Sequence, residues 1–327
     1  MDFMPLVFSL LLSAGMMPFL IPYLRKLKFG QTIREDGPTW HSAKSGTPTM
    51  GGVAFALSTT CGILLGGFAA YGRFPRHAVP VLLSALSFGF IGFVDDYIKV
   101  VKKRNLGLTA RQKLLLQVLA SLAFLMTMKN EGLLGSGLQI PFVNRTLPLG
   151  WLIWPVSVFI LIGTVNAVNL TDGLDGLCTS VTLPVTLLFA VIGKLYGMED
   201  LFCAATALMG GLLGFLPSNL PKAKVFMGDT GAFFIGGAVA GMAYLAGMPV
   251  LLALCGIVYV AEAMSDILQV GYFKMTGGKR LFKMAPLHHH FEMNGRTEAQ
   301  IDLLFTTVSV LGCLLGFLAY RGFFPYI

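Results

Sequence analysis

Apolar segments long enough to cross a lipid bilayer recur from one end of this chain to the other. Each membrane-spanning helix needs about 20 predominantly apolar residues. The 327-residue chain is 55% hydrophobic and 12% charged, with a mean hydropathy of +0.74, whereas soluble domains carry about 25% charged residues. We therefore predict an all-α polytopic membrane protein with one integral membrane domain over residues 1–327. The ten predicted spans are residues 3–24, 52–70, 79–94, 113–128, 151–168, 177–193, 201–216, 231–245, 249–270 and 301–320.

Lysine and arginine residues divide unevenly between the two sides of these spans. If the first connection, residues 25–51, is cytoplasmic, 18 of the 24 basic residues are cytoplasmic. Cytoplasmic loops carry an excess of Lys and Arg, so both termini are predicted to lie outside. Twelve of the 16 acidic residues fall on the same inner side. The six basic residues outside are Arg73, Arg76, Lys129, Arg145, Lys194 and Arg321.

The net charge of +8 does not indicate a nucleic-acid partner, because basic residues in a membrane protein first report its orientation. We therefore predict no nucleic-acid binding. The five cysteines stand singly inside apolar segments, which is typical of small buried side chains and indicates neither a disulfide framework nor a zinc site. They are Cys61, Cys178, Cys203, Cys255 and Cys313.

Two carboxylates, Asp95 and Asp96, lie side by side where the third predicted span reaches the cytoplasmic interface. On a helix they point about 100° apart, so one can face a site while the other holds a lysine or a metal. Carboxylates within a membrane are functional candidates by default. The alternative is an interfacial acidic pair that Lys99, Lys102 and Lys103 neutralise.

The segment after the fifth span carries Asn169, Asp172 and Asp175 and contains neither Lys nor Arg. If the segment is helical, the three side chains fall within about a 120° arc and form one polar wall, although Gly173 and Gly176 weaken a helix there. Glycines also let a ligand approach the backbone closely. The alternative is a turn built from Asn, Asp and Gly.

Asp229 immediately precedes the eighth span. It could cap that helix, because Asp is a preferred N-cap residue. A helix N-terminus also favours phosphate, and an Asp held there would bring a magnesium ion to it. Phe226, three residues earlier, either packs within the loop or stacks on a base.

Three consecutive histidines, His288, His289 and His290, stand in the last cytoplasmic loop. Adjacent residues cannot all ligate one ion comfortably, so contact between the imidazoles and a phosphate remains as open as a metal site. Lys44 and Thr49 belong to a turn rich in glycine and hydroxyl groups. Such a turn fits an oxyanion or a base edge, and it could also be a simple helix entry.

Charged residues also occur inside the predicted spans. Lys113 opens the fourth span, where its amine can extend back to the interface. Glu262 and Asp266 lie one helical turn apart in the ninth span, and like charges at that spacing repel. We expect them to face a watery groove or to share a proton. We also predict that the ninth span, which carries Glu262, Asp266 and nearby Gly256, is bent or broken beside the groove for the lipid.

These clusters come from distant parts of the chain, yet the predicted orientation places all of them on the cytoplasmic face. Their chemistry is complementary, because carboxylates suit a divalent metal while Lys, His and backbone amides suit phosphates. The sequence therefore predicts a cleft for metal-assisted phosphoryl transfer on that face. The alternative from another class is a transporter for an anionic solute, whose site would belong near the midplane of the membrane.

Five motifs carry a resemblance to a known family, in the same order along nearly the full chain. They are Gly46–Gly52, Val94–Asp96, Asn166–Leu177, Val225–Gly231 and His288–Glu292. The chain resembles the polyprenyl-phosphate N-acetylhexosamine-1-phosphate transferase superfamily. The His-His-His-Phe-Glu motif is similar to that of its phospho-N-acetylmuramoyl-pentapeptide-transferase branch, and it argues against the sister enzymes that use UDP-GlcNAc.

This resemblance implies an enzyme of the bacterial cytoplasmic membrane that acts in peptidoglycan synthesis. It would move phospho-MurNAc-pentapeptide from UDP-MurNAc-pentapeptide to undecaprenyl phosphate, a membrane lipid, with Mg2+, and would form lipid I and UMP. A homodimer is also implied. Direct attack by the lipid phosphate is favoured, because a phosphate is already anionic and needs mainly positioning. The alternative is an aspartate that forms a covalent intermediate.

The resemblance also implies roles for individual residues. Asp229 would bind Mg2+, and Asp95 or Asp96 would activate the lipid phosphate. Lys113 and His288 would hold the diphosphate. The implied substrate-binding residues are Lys44, Thr49, Asn169, Asp172, Gly173, Leu174, Asp175, Asn219, Phe226, His289 and His290.

Overall fold

Helices make up most of the described fold, which confirms the all-α prediction. A computed structural model of the protein describes residues 1–27, 46–101 and 107–325. A π-helical turn at Gly62–Gly66 joins α2 to α3, and the strands β1 (Gly137–Ile140) and β2 (Arg145–Pro148) form an antiparallel hairpin. The described helices are α1 (Met4–Lys26), α2 (Gly52–Cys61), α3 (Gly67–Tyr71), α4 (Ala78–Val101), α5 (Ala110–Asn130), α6 (Ile153–Thr171), α7 (Leu177–Leu195), α8 (Glu199–Asn219), α9 (Gly228–Leu245), α10 (Leu252–Cys255), α11 (Ile257–Met275), α12 (Leu287–Glu292) and α13 (Glu298–Phe323).

Every predicted span coincides with helical structure, but not every helix is apolar enough to count as a span. Within the described residues, seven helical stretches are long and apolar enough to cross a membrane, or eight when one bent pair counts as a span. Helices α5 and α9 are not among them. Polar residues such as Lys113 lower the hydropathy of α5, and Asp229 and several glycines lower that of α9. The ten spans, the outside termini and the single domain therefore stay predictions.

The predicted break in the ninth span is confirmed. Residues Pro249–Cys255 and Ile257–Met275 form two helical pieces that meet at an angle of 83°. Gly256 lies between them, and its amide donates to the carbonyl of Leu252 at 2.9 Å. A side chain at Gly256 would crowd that carbonyl, since an added Cβ would come within 2.6 Å of it. The break turns α11 away from the direction of α10.

Helix α9 is the centre of the helical bundle. Its residues from Thr230 to Leu245 are all buried, and it packs against α2, α4 and α6. Small residues bring the backbones of α4 and α9 together, because a Cβ on Gly92 would overlap the backbone of Asp229. Close approach through small residues is the usual way in which membrane helices associate. The seam places the end of α4, with its two carboxylates, on the start of α9.

Candidate active site

The two neighbouring carboxylates at the end of α4 have different partners. Asp96 is buried and accepts hydrogen bonds from the backbone amide of Thr230 at 2.9 Å, from the Thr230 hydroxyl at 2.7 Å and from the amide of Asp229 at 3.3 Å. The N-cap residue of α9, Met227, offers no capping side chain. Asp96 therefore satisfies the free amides at the start of α9 from a neighbouring helix. Asp229 itself lies in the first turn and is not the cap.

Asp95 faces the other way. Its Oδ1 accepts a hydrogen bond from the amide of Leu108 at 2.7 Å. Its Oδ2 lies 2.6 Å from the ammonium of Lys99 and 3.1 Å from that of Lys113. The side chain is only 1% exposed. Asp95 thus holds two lysines, as one member of the pair was expected to do, whereas Asp96 holds a helix end, a role that the sequence did not predict.

Asp229 completes the acidic centre, which we define as Asp95, Asp96 and Asp229. Its Oδ2 accepts from Lys99 at 2.8 Å and from Lys113 at 3.2 Å, so both lysines bridge Asp95 and Asp229. Its Oδ1 accepts from the amide of Asn169 at 2.9 Å. One carboxylate oxygen from each of the three acids lies within 4.8 Å of the others.

The acidic centre has the donor atoms that Mg2+ prefers. Mg2+ takes oxygen ligands and is usually held by one or two carboxylates together with substrate phosphates. Because both oxygens of Asp96 bond the start of α9, Asp95 and Asp229 are the members that could serve as ligands. The ammonium groups of Lys99 and Lys113 neutralise these two carboxylates. The residues present therefore fit a magnesium ion.

The polar wall predicted after α6 is divided between two places. Helix α6 ends at Thr171, so Asn169 faces Asp229 while Asp175 turns the other way. Burial, and after it the nearby carboxylate of Asp229, raises the pKa of Asp172 well above its usual range. The prediction of one continuous wall is therefore wrong, since the glycine-containing turn separates its members.

The side chains predicted to bind a nucleoside surround the connection between α8 and α9, residues 220–227. Asp175 accepts from the amide of Ala223 at 2.9 Å, and Asn219 donates to the carbonyl of Val225 at 3.2 Å. Both side chains are buried, as is Leu174. Their described bonds hold the backbone of this connection, and nucleoside binding stays a prediction. Lys44 lies outside the described residues.

The turn that contains Thr49 packs on the same connection. Pro48 accepts from the amide of Phe226 at 2.9 Å, and the amide of Gly51 donates back to the carbonyl of Phe226 at 2.8 Å. Gly228 follows with a φ of +72°, and a Cβ there would come within 2.7 Å of the Thr49 hydroxyl. Only glycine fits this left-handed position so close to a neighbour. Thr49 and Phe226 are thus brought to the start of α9.

The three histidines have three separate partners. His288 Nδ1 lies 3.0 Å from Oε2 of Glu262, and both side chains are buried. His289 Nδ1 lies 2.7 Å from Glu292, and His290 Nδ1 accepts from a backbone amide at 3.2 Å. The histidines therefore do not converge on one ion. Glu262 and Asp266 were expected to face a watery groove or to share a proton; Glu262 is instead fully buried and bonds His288.

Two residues of this region were not predicted as site residues. Lys99 was considered only as a neutralising charge, yet its four-residue spacing from Asp95 places both on one helix face, and it also reaches Asp229. Glu262 was noticed as a carboxylate inside a span, but its bond to His288 joins residues 26 positions apart. No local sequence pattern predicts a bond between residues so far apart in the chain.

Comparison with known proteins gives matches over nearly the whole chain. Residues 78–247 match Glycosyl transferase family 4, and residues 44–55 match the phospho-N-acetylmuramoyl-pentapeptide-transferase signature 1. Proteins named phospho-N-acetylmuramoyl-pentapeptide-transferase are similar over more than nine tenths of their length. The chain is 45% identical to that of Caldicellulosiruptor bescii over 311 residues, 95% of each chain. It is 46% identical to that of Acetivibrio thermocellus over 317 residues, which cover 96% of this chain and 92% of the relative.

Proposed function

Because the chain belongs to the phospho-N-acetylmuramoyl-pentapeptide-transferases, bacterial membrane enzymes of the phosphoglycosyl transferase class, we propose the following reaction. The donor is UDP-MurNAc-pentapeptide and the acceptor is undecaprenyl phosphate. A phosphate oxygen of the lipid bonds to the phosphorus that carries the sugar, and the bond from that phosphorus to UMP breaks. The products are lipid I and UMP.

The observation that carries this proposal is the pair of lysines shared by the buried carboxylate of Asp95 and the partly buried carboxylate of Asp229. Lys99 and Lys113 each lie within 3.2 Å of both Asp95 and Asp229. Phosphates attract ammonium groups as strongly as carboxylates do. Arriving substrate phosphates would therefore take over these lysines, while Asp229, with Asp95 beside it, would hold Mg2+. A bound Mg2+ ion would neutralise negative charge on the substrate phosphates.

Asp95 is our choice for the base that activates the lipid phosphate. Both oxygens of Asp96 accept hydrogen bonds from the start of α9, so a proton there would disrupt the helix end. Among the described residues, Oδ2 of Asp95 contacts only the ammonium groups of Lys99 and Lys113. Asp95 takes the proton of the lipid phosphate, and the freed oxygen attacks the diphosphate directly. Trapping a phosphorylated aspartate from UDP-MurNAc-pentapeptide without lipid would favour the covalent alternative.

The remaining substrate contacts follow from the site. Asn169, Asp172 and His288 line the acidic centre and its flank, and the connection 220–227 with Thr49 and Phe226 offers the nucleoside pocket. In the proposed orientation this site faces the cytoplasm, where the soluble donor is found. The homodimer is part of the proposal, and light scattering of the protein–detergent particle measures it.

Release of UMP by the purified protein tests the function. With UDP-MurNAc-pentapeptide, undecaprenyl phosphate and Mg2+ together, we expect UMP and lipid I in equal amounts. Omitting the lipid, or removing the metal with EDTA, should stop release, and restoring Mg2+ should recover it. Equal or faster turnover of UDP-GlcNAc would assign the chain to the sister reaction. No release, together with solute uptake into vesicles, would favour a transporter.

A further inference from the structure

His288 is held by one buried carboxylate at two points. Oε1 of Glu262 accepts from the backbone amide of His288 at 3.2 Å, and Oε2 lies 3.0 Å from Nδ1 of its ring. Glu262 is fully buried and His288 is 1% exposed. We infer that Glu262 is a positioning residue, which fixes His288 so that Nε2 presents a proton to the donor's diphosphate. This inference rests on the proposed function, because that function supplies the diphosphate.

The broken span explains how a carboxylate reaches this place. After the 83° bend at Gly256, α11 leaves the direction of α10 and carries Glu262 in its second turn. A carboxylate buried within a span is costly unless it is bonded, and both oxygens of Glu262 have partners on His288. One side chain therefore fixes the backbone and the ring together, which leaves the ring a single orientation.

The other ring nitrogen is left for a ligand. Nε2 of His288 is buried and has no hydrogen-bond partner among the described residues. A buried polar atom without a partner is rare and needs an explanation. Nε2 faces Gly173, where even one methyl group would overlap the ring. Gly173 therefore lies directly against Nε2, and any side chain at this position would displace the ring.

The position of Gly173 connects this nitrogen to the acidic centre. Gly173 lies in the turn directly after α6, and Asn169 in the last turn of that helix bonds Asp229. A phosphate bound between His288 and the acidic centre would contact Nε2 of His288 on one side. A ring with a carboxylate at Nδ1 and a phosphate oxygen at Nε2 carries both protons, and each N–H donates to an oxygen. Charge-assisted hydrogen bonds of this kind are stronger than hydrogen bonds between neutral groups.

Kinetics of four variants test the inference. Glu262→Gln keeps the shape but loses the charge, His288→Ala removes the ring, and the double variant combines them. Asp266→Asn is the matched control, because it removes a carboxylate one turn further along the same helix. An outer partner of a functional histidine is typically worth about 10–100-fold in activity. We expect a loss of that size for Glu262→Gln and less than about threefold for Asp266→Asn.

Two further readouts separate positioning from a general structural role. The double variant should be as active as His288→Ala alone, because Glu262 acts only through His288. The loss in Glu262→Gln should appear in kcat and in the KM for UDP-MurNAc-pentapeptide, while the KM for undecaprenyl phosphate stays unchanged. Losses that multiply in the double variant, or a wild-type rate for Glu262→Gln, would overturn the inference. Gly173→Ala should also lose activity, and full activity there would count equally against it.

A measurement without substrate distinguishes this inference from the proposed function. In protein with 15N-labelled histidine, the Nδ1–H signal of His288, assigned by its loss in His288→Ala, should shift in Glu262→Gln and stay in place in Asp266→Asn. No bonded Nδ1–H signal in the wild type overturns the positioning role. If that signal is present but the wild type releases no UMP, the positioning geometry stands while the proposed function, and with it the diphosphate as ligand of Nε2, fails.

Discussion

The two ends of the helix pair α4 and α5 pair their charges in different ways. At the predicted outer end, Arg73 lies 2.7 Å from Glu199, and Arg76 lies 2.7 Å from Glu131. Arg73 and Glu199 are each about half exposed. At the inner end, two lysines are shared by Asp95 and Asp229, and Asp95 is 1% exposed.

This difference separates charges that stabilise a surface from charges kept for chemistry. An exposed ion pair contributes about 0–1 kcal/mol and needs no other reason to exist. Burying several charges together is costly, and replacing such groups by apolar ones is often neutral or stabilising. We therefore expect the inner arrangement to serve the proposed binding of phosphates and metal. On this basis, substitutions at Asp95 and Asp229 should affect activity far more than stability, and substitutions that break the exposed outer ion pairs should affect neither strongly.

Asp229→Asn should have the largest effect. The neutral Asn side chain should bind Mg2+ more weakly and lose the ion pairs with Lys99 and Lys113. We therefore expect the rate of UMP release to fall on the order of 10²–10³-fold or more. The fall should remain at high Mg2+ concentration. Asp200→Asn, a buried carboxylate beside Arg73 at the outer end, is the matched control and should retain activity within about twofold. Similar losses in the two variants would remove the distinction between the ends.

Asp95→Asn should lose about 10²-fold near pH 6. The base is needed only while the lipid phosphate carries a proton, and the second pKa of a phosphate monoester is about 6. The deficit of this variant should therefore shrink as the pH rises from about 6 to 8. The deficit of Asp229→Asn should not shrink in the same way. A deficit in Asp95→Asn that is independent of pH would argue that Asp95 is not the base.

Asp96→Asn should combine a smaller kinetic loss with a loss of stability. Removing the charge weakens the cap on α9, which typically contributes about 1 kcal/mol to stability. It also weakens the hydrogen bond that positions Asp229, and the loss of such a contact typically lowers activity about 10–100-fold. Thermal unfolding in detergent should occur at a lower temperature than for Asp95→Asn. Unchanged unfolding in Asp96→Asn would contradict its role as the cap of α9.

Arg76→Gln should have the smallest effect. It breaks the pair with Glu131 on an exposed surface, where the expected change in the free energy of unfolding is below about 1 kcal/mol. Turnover should stay within about twofold of the wild type. A loss of activity comparable to that of Asp96→Asn would show that the outer end contributes to the reaction.

Much of the fold follows from patterns that the sequence displays directly. Each apolar run became a helix, and the carboxylates and glycine of the ninth span predicted its break. The span count is harder, because Lys113 and other polar residues in α5, and Asp229 and the glycines in α9, reduce the hydropathy of these two helices. The end of α6 at Thr171 was missed because the helical interpretation continued through Gly173.

The site was predictable in its members but not in its bonds. The motifs identified Asp95, Asp96 and Asp229, and the orientation placed them on one face. The division of labour between neighbouring acids depends on which helix packs beside α4, and no local pattern contains that information. The same holds for Glu262 and His288, whose bond depends on the angle at which α11 leaves the bend.

The glycine seam between α4 and α9 has a mechanical consequence. Because Gly92 brings α4 against the backbone of Asp229, sliding either helix along the other would produce a steric clash, and we expect the two helices to keep a fixed register. Under the proposed reaction, any adjustment to two substrates of very different size would then have to occur outside this seam, which holds Asp95, Asp96 and Asp229 in one fixed arrangement.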